Sequence, residues 1–138
     1  MTNAELIREA GKARERSYSP YSGFRVGAAL LTGSGKVYHG CNIENAAYSP
    51  SNCAERTAFY KAIYDGEREF EKIAIVGAYA EGDLDVPCPP CGVCRQVMME
   101  FCDPENFLVI LADGKDKQLE ISLKELLPLG FGGANLGK

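Results

Sequence analysis

Two stretches decide how this chain is read: Cys53-Ala54-Glu55-Arg56, and further on Pro90-Cys91-Gly92-Val93-Cys94-Arg95-Gln96. They spell C-x-E followed by P-C-x-x-C. Three thiolates can hold a zinc ion and leave its fourth tetrahedral position open to water. A carboxylate two residues from one ligand, Glu55, can then move that water's protons. Each motif also opens a helical pattern, Ala54 to Tyr64 and Gly92 to Phe101. Both sets of thiols are therefore expected where a loop enters a helix, and the fold must bring two helix starts together.

The flanking sequence supplies the rest of the frame. Thr2 to Ser17 has Leu6, Ile7, Ala10 and Ala13 on one helical face. Ser17 to Gly23 is a turn-rich break. Phe24 to Leu31 reads as a strand, and Thr32-Gly33-Ser34-Gly35 turns it into a second strand, Lys36 to Asn42. Lys72 to Ala80 and Phe107 to Ala112 are apolar enough to be buried strands. Asp113-Gly114 suits a tight turn into a short edge strand, Gln118 to Ser122. A short helix, Leu123 to Leu127, precedes a glycine-rich tail. The order α-β-β-α-β-α-β-β-α indicates an α/β fold, a mixed five-stranded sheet flanked by helices. The strand–helix–strand units in its middle should be parallel crossovers.

Bulk properties narrow the function. The chain has 138 residues, so one domain over 1–138 is expected. That length buries enough surface for a core without staples. Fifteen Lys and Arg against 19 Asp and Glu give a formal charge of -4, which argues against a nucleic-acid partner. No apolar run reaches the roughly 20 residues of a membrane span. Thr2 to Arg16 is polar and helical in pattern, unlike an export signal. A cytoplasmic setting with metal-bound or free thiols is therefore expected for the six cysteines. Cys41 and Cys102 read as small buried hydrophobes.

The cysteines leave alternatives open. Cys88-Pro89-Pro90-Cys91 is also a C-x-x-C frame, but its prolines disfavour a helical turn. The frame Cys91 to Cys94 follows Pro90 and contains Gly92, so Cys53, Cys91 and Cys94 are assigned as the ligands and Cys88 is left out. Three thiolates on Zn²⁺ carry a formal charge of -1. Helix N-termini and Arg56, hydrogen-bonded to a ligand sulfur, can offset it. A closed four-cysteine knot recruiting Cys88 or Cys41 would make the chain a zinc-stabilised interaction module. It would have no use for Glu55. A redox pair at Cys91 and Cys94 would leave Cys53-Ala54-Glu55 unexplained. His39, in the second predicted strand, reads as a surface or interface residue.

With these residues in place, the chain resembles the small homotetrameric zinc-dependent cytidine deaminases over nearly its whole length. The matching blocks are Pro20-Tyr21-Ser22-Gly23-Phe24-Arg25-Val26-Gly27, Gly40-Cys41-Asn42-Ile43-Glu44-Asn45-Ala46-Ala47-Tyr48, Cys53 to Ala58, Pro90 to Gln96, and Leu126-Leu127-Pro128 before Phe131. Ser49-Pro50-Ser51-Asn52 and Cys88-Pro89 depart from the usual pattern. The resemblance implies a three-layer sandwich, one Zn²⁺ per subunit, and a small nucleoside substrate deaminated to its uracil counterpart in pyrimidine salvage. It implies that Asn42 and Glu44 bind ribose hydroxyls, that Phe24 flanks the pyrimidine, and that the Ala54 backbone meets the base edge. It further implies that the Pro89 carbonyl receives the departing amino group, while Tyr48 and Phe131 reach a site across a subunit interface. Glu55 would be the proton shuttle. The Asn42-Ile43-Glu44-Asn45 block favours an ordinary nucleoside over a blasticidin-type antibiotic. The acidic balance disfavours a tRNA or DNA editor.

Overall fold

The computed structural model describes all 138 residues. Helix α1 (Asn3–Arg14) opens with a reciprocal cap. Thr2 Oγ1 accepts from the Glu5 amide at 3.1 Å, and Glu5 Oε2 accepts from the Thr2 amide at 2.7 Å. The helix stops short of the expected Ser17. The amides of Arg16 and Ser17 bond three residues back, to Ala13 and Arg14, and the Tyr18 amide already bonds the Asn42 carbonyl. Strands β1 (Phe24–Thr32) and β2 (Val37–Cys41), helix α2 (Ala54–Tyr64), strand β3 (Phe70–Tyr79) and helix α3 (Gly92–Phe101) follow. Strands β4 (Leu108–Ala112) and β5 (Gln118–Ser122) and the one-turn helix α4 (Leu123–Leu126) complete the fold. The glycine-rich tail forms a 3-10 turn over Gly133–Leu136.

The sheet order is β2-β1-β3-β4-β5. Strand β1 lies antiparallel between β2 and β3, so β2 and β3 run the same way with β1 between them. Strands β3 and β4 are adjacent and parallel, and β5 returns antiparallel beside β4. Both strand–helix–strand units are thus parallel crossovers, and α2 carries the first one over β1.

The near-continuous apolar runs have a simple cause: both faces of the sheet are covered. Ala28, Leu30, Ile73, Ile75, Val109 and Leu111 share one core with Ala58, Phe59 and Ala62 of α2 and Cys94 and Met98 of α3. Their neighbours Ala29, Leu31, Ala74, Val76, Ile110 and Ala112 point the other way, onto Leu6 and Ala10 of α1. The layers are therefore α1, sheet, and α2 with α3. Strand β3 starts at Phe70, earlier than expected, where the Phe70 ring meets Phe59 with centroids 5.1 Å apart.

Two glycines set how closely the helices approach. A Cβ on Gly27 would fall 2.1 Å from the Ala10 carbonyl oxygen, and one on Gly40 would fall 2.2 Å from that of Ala54. Gly40 therefore lets the first turn of α2 rest directly on β2. Arg14 is buried, and its guanidinium donates to the carbonyls of Arg25 (3.3 Å), Ala78 (2.9 Å) and Tyr79 (2.8 Å). It ties the end of α1 to the rim of the sheet, and no sequence pattern announced it.

The cysteines outside the motifs behave differently. Cys102 is only partly buried, short of the expected full burial, but it packs against the inner core, and burial pushes its thiol pKa up. Cys41 corrects the expectation of a buried hydrophobe. At the end of edge strand β2 it is only partly covered, and its thiol donates to the Arg16 carbonyl at 3.3 Å. His39 lies half-exposed, with Nε2 3.0 Å from Glu9 Oε1. No helix is long and apolar enough to cross a membrane.

Replacing Gly40 by Ala should force α2 off β2. The expected cost is about 1–3 kcal/mol, read as a lowered urea midpoint with an unchanged slope. An unaltered midpoint would show that the close approach is not required.

Candidate active site

Helices α2 and α3 start at the same place. Cys53 is the N-cap of α2 and Cys91 the N-cap of α3, both in extended backbone with ψ of 156° and 168°. Neither side chain caps its own helix, so both sulfurs are free to face outward from the turn. Cys94, in the first turn of α3, is fully buried. The three Sγ atoms lie within 4.8 Å of one another, and Cys53 and Cys91 are 3.7 Å apart. Two sulfurs on tetrahedral zinc, each at about 2.3 Å, stand about 3.8 Å apart, so the cluster matches zinc in donor type and spacing. Each helix start adds about +0.5 elementary charge. Cys88 stays outside the cluster, with its Sγ lodged over Gly77, where a Cβ would come within 2.6 Å.

Arg56 follows Glu55 in the first turn of α2. Its Nη2 donates to Cys53 Sγ at 3.3 Å. Burial works against the guanidinium charge, but the hydrogen bonds to Cys53 and Cys94 raise its pKa further. Its Nε is buried without a partner. In the thiol cluster the hydrogen bond between Cys94 and Cys53 is the largest influence. It lowers the Cys53 pKa, with Arg56 and Cys91 assisting against burial. The same bond, together with burial, raises Cys94.

Glu55 sits in the first turn of α2 and is only 4% exposed. Burial pushes its carboxyl pKa up to about 7, aided by the charge on Cys53 and opposed by its own backbone amide. A carboxyl shifted toward neutrality can both take and give a proton. It faces a cleft of ≈ 380 Å³ whose wall includes Cys53 and Cys91, within the size range of small-ligand sites.

Phe24, Asn42, Glu44, Ala54 and Pro89 all line this cleft with Glu55 and Arg56. Phe24 is held edge-on to Tyr79, with ring centroids 5.1 Å apart. The Asn42 side chain is heavily committed. Its Oδ1 accepts from the Val26 amide (2.9 Å) and from Ser17 Oγ, and its Nδ2 donates to the Phe24 carbonyl (2.8 Å). One amide proton remains for a ligand. Glu44 accepts from the Tyr21 and Ser22 amides and from Ser22 Oγ, bonds that hold its carboxyl below the usual range, Ser22 first.

Tyr48 and Phe131 are not brought into the cleft of their own chain; they are 75% and 57% exposed. Tyr48 also adopts a left-handed φ of 60°, which is costly for a residue with a bulky side chain. Val26, Ser51, Asn52 and Cys88 line the cleft as well. Sequence reasoning passed over the first three. The signal for Asn52 was its place just before Cys53, and its backbone pairs with Ile43 in both directions at 2.9 Å.

A three-thiol cluster beside a buried, near-neutral carboxyl, both opening on one cleft, belongs to a zinc hydrolase. Similarity to known proteins narrows that class. The family model for the cytidine and deoxycytidylate deaminase zinc-binding region matches residues 1–110. A cytidine deaminase of Sporosarcina psychrophila is 52% identical over 127 residues, covering 92% of this chain and 89% of that protein. One from Halalkalibacterium halodurans is 50% identical, covering 95% of each. The crystal structure of the Burkholderia pseudomallei cytidine deaminase superposes with a TM-score of 0.84 at 49% identity, covering 95% of this chain and all of that one. The chain belongs to the zinc-binding cytidine and deoxycytidylate deaminase family.

Arg56→Gln should weaken zinc retention about 10–100-fold, read by competition with a chromogenic chelator. Wild-type retention in this variant would reduce Arg56 to a packing residue.

Proposed function

We propose that this chain hydrolyses cytidine and deoxycytidine to uridine and deoxyuridine with release of ammonia, as a single deaminase domain serving pyrimidine salvage. The observation that carries this is the placement of Glu55: a buried carboxyl in the first turn of α2, two residues from Cys53, lining the same cleft as Cys53 and Cys91 of the three-thiol cluster. Cys53, Cys91 and Cys94 would hold one Zn²⁺ per subunit. Bound there, zinc supplies the Lewis acidity that makes water a nucleophile near neutral pH.

The chain's own residues do the rest. Glu55 takes a proton from the attacking water and delivers it to N3 of the pyrimidine, while C4 gains the oxygen. Glu55 then carries the second proton to the 4-amino group, the C4–N bond breaks, and ammonia leaves. The Pro89 carbonyl accepts from that departing group, and the Ala54 backbone meets the base edge. Phe24, fixed by Tyr79, flanks the ring. Asn42 donates its remaining amide proton to a ribose hydroxyl, and Glu44 accepts from one. Arg56 keeps the Cys53 thiolate charge in place.

Tyr48 and Phe131 complete the site of a neighbouring subunit in a homotetramer. Their exposure supports this, because each ring is left largely open to solvent in the single chain. The setting is cytoplasmic, where free thiols and a nucleoside substrate coexist. The Cys53–Cys91–Cys94 cluster excludes Cys88, which favours an open metal site over a closed four-cysteine knot.

The direct test follows cytidine absorbance on mixing, with Glu55→Ala as the comparison. The variant should keep its zinc and lose turnover by about 10³-fold or more. An active Glu55→Ala protein would remove Glu55 from the mechanism.

A further inference from the structure

Glu44 lines the cleft, but it is an exposed carboxylate on a loop. Left to itself, such a side chain samples several rotamers and must be ordered each time a ligand binds. Here it is already ordered. The turn at Tyr21 and Ser22 presents two amides to Glu44 Oε1, each at 3.0 Å. The Ser22 hydroxyl donates to the other oxygen, Oε2. That same hydroxyl accepts from the Phe24 amide at 3.0 Å. Gly23, at a left-handed φ of 71°, closes the turn with a bond from its amide to the Ser19 carbonyl at 2.9 Å.

We propose that Ser22 is a positioning residue: its hydroxyl locks the Glu44 carboxylate and couples it to the backbone of Phe24, so that sugar-binding and ring-flanking groups are held in one register before substrate arrives. This rests on the reading above that Glu44 accepts a hydrogen bond from a ribose hydroxyl, taken as the 3′-hydroxyl that cytidine and deoxycytidine share. A carboxylate has about four acceptor positions. The turn supplies two donors to Oε1 and one to Oε2, leaving a single acceptor position on Oε2. The clamp therefore both orients Glu44 and limits it to one incoming donor. Ser22 is itself exposed, so water can replace its hydroxyl electrostatically but not geometrically. The expected loss is accordingly moderate and falls on binding.

The test compares cytidine with 3′-deoxycytidine as substrates of the zinc-loaded wild-type protein, Ser22→Ala, Ser22→Thr and Glu44→Gln. Wild type should prefer cytidine. Glu44→Gln should lose most of that preference. Ser22→Ala should raise KM for cytidine about tenfold, change kcat little, and shrink the preference toward that of Glu44→Gln, while its Tm stays within about 3 °C of wild type. Ser22→Thr restores the hydroxyl at an exposed position and should recover KM and preference. A wild-type KM and preference in Ser22→Ala, with the preference still lost in Glu44→Gln, would overturn the positioning role alone. A Ser22→Ala defect shared equally by both substrates, or carried in kcat, would also overturn it. Equal handling of both nucleosides by wild type would overturn the ribose contact and the clamp together.

Discussion

Two helices beginning at one point is the constraint on which the rest of the molecule depends. A thiolate cluster needs three sulfurs converging within a few ångströms, and here they come from two segments far apart in sequence. The convergence is produced by packing. Helices α2 and α3 dock on the same face of the sheet, their apolar sides sharing one core with β1, β3 and β4. Gly40 lets α2 settle at backbone distance from β2. Arg95 fixes α3 at its start, donating to the Pro90 carbonyl at 2.8 Å and to that of Leu126 at 2.7 Å. With both helices seated, Cys53 and Cys91 occupy equivalent cap positions and the two N-terminal dipoles point at the same negative charge.

That arrangement also explains the environment of Glu55. The first turn of α2 runs under the cleft, so the residue two past the cap is pulled into the interior. Burial and the neighbouring Cys53 charge disfavour the carboxylate. The same packing that assembles the sulfurs therefore tunes the acid beside them. Asn42 shows a similar economy on the opposite wall. Its side chain acts as a strand partner for the edge of β1, satisfying the Val26 amide and the Phe24 carbonyl, while one proton stays free for the cleft. Replacing it would orphan backbone groups at about 1–3 kcal/mol, so simple truncation would not isolate the ribose contact proposed for it.

Much of this was legible from residue order. The two motifs named the cluster and its carboxyl because zinc chemistry requires those residue types at those spacings. The strands at Phe24, Lys72 and Phe107 were legible because runs buried on both faces are unbroken. Less visible was β1 lying between β2 and β3, since pairing order depends on tertiary packing that no local pattern encodes. Arg14 was unreadable for a similar reason: its partners are carbonyls from β1 and the far end of β3. The segment Ser17 to Gly23 read locally as a break, its end matching a family block, and nothing in it announced the donors that Ser17, Tyr21 and Ser22 give to Asn42 and Glu44. Those are backbone amides and short hydroxyls, whose partners only the folded chain identifies.

The central claim is that three sulfurs, and only three, surround the metal beside Glu55. X-ray absorption at the zinc edge on fully loaded protein tests it most directly. The account predicts a fit with three sulfur neighbours and one lighter oxygen or nitrogen atom. A shell of four sulfurs, with Cys88 drawn in, would contradict it.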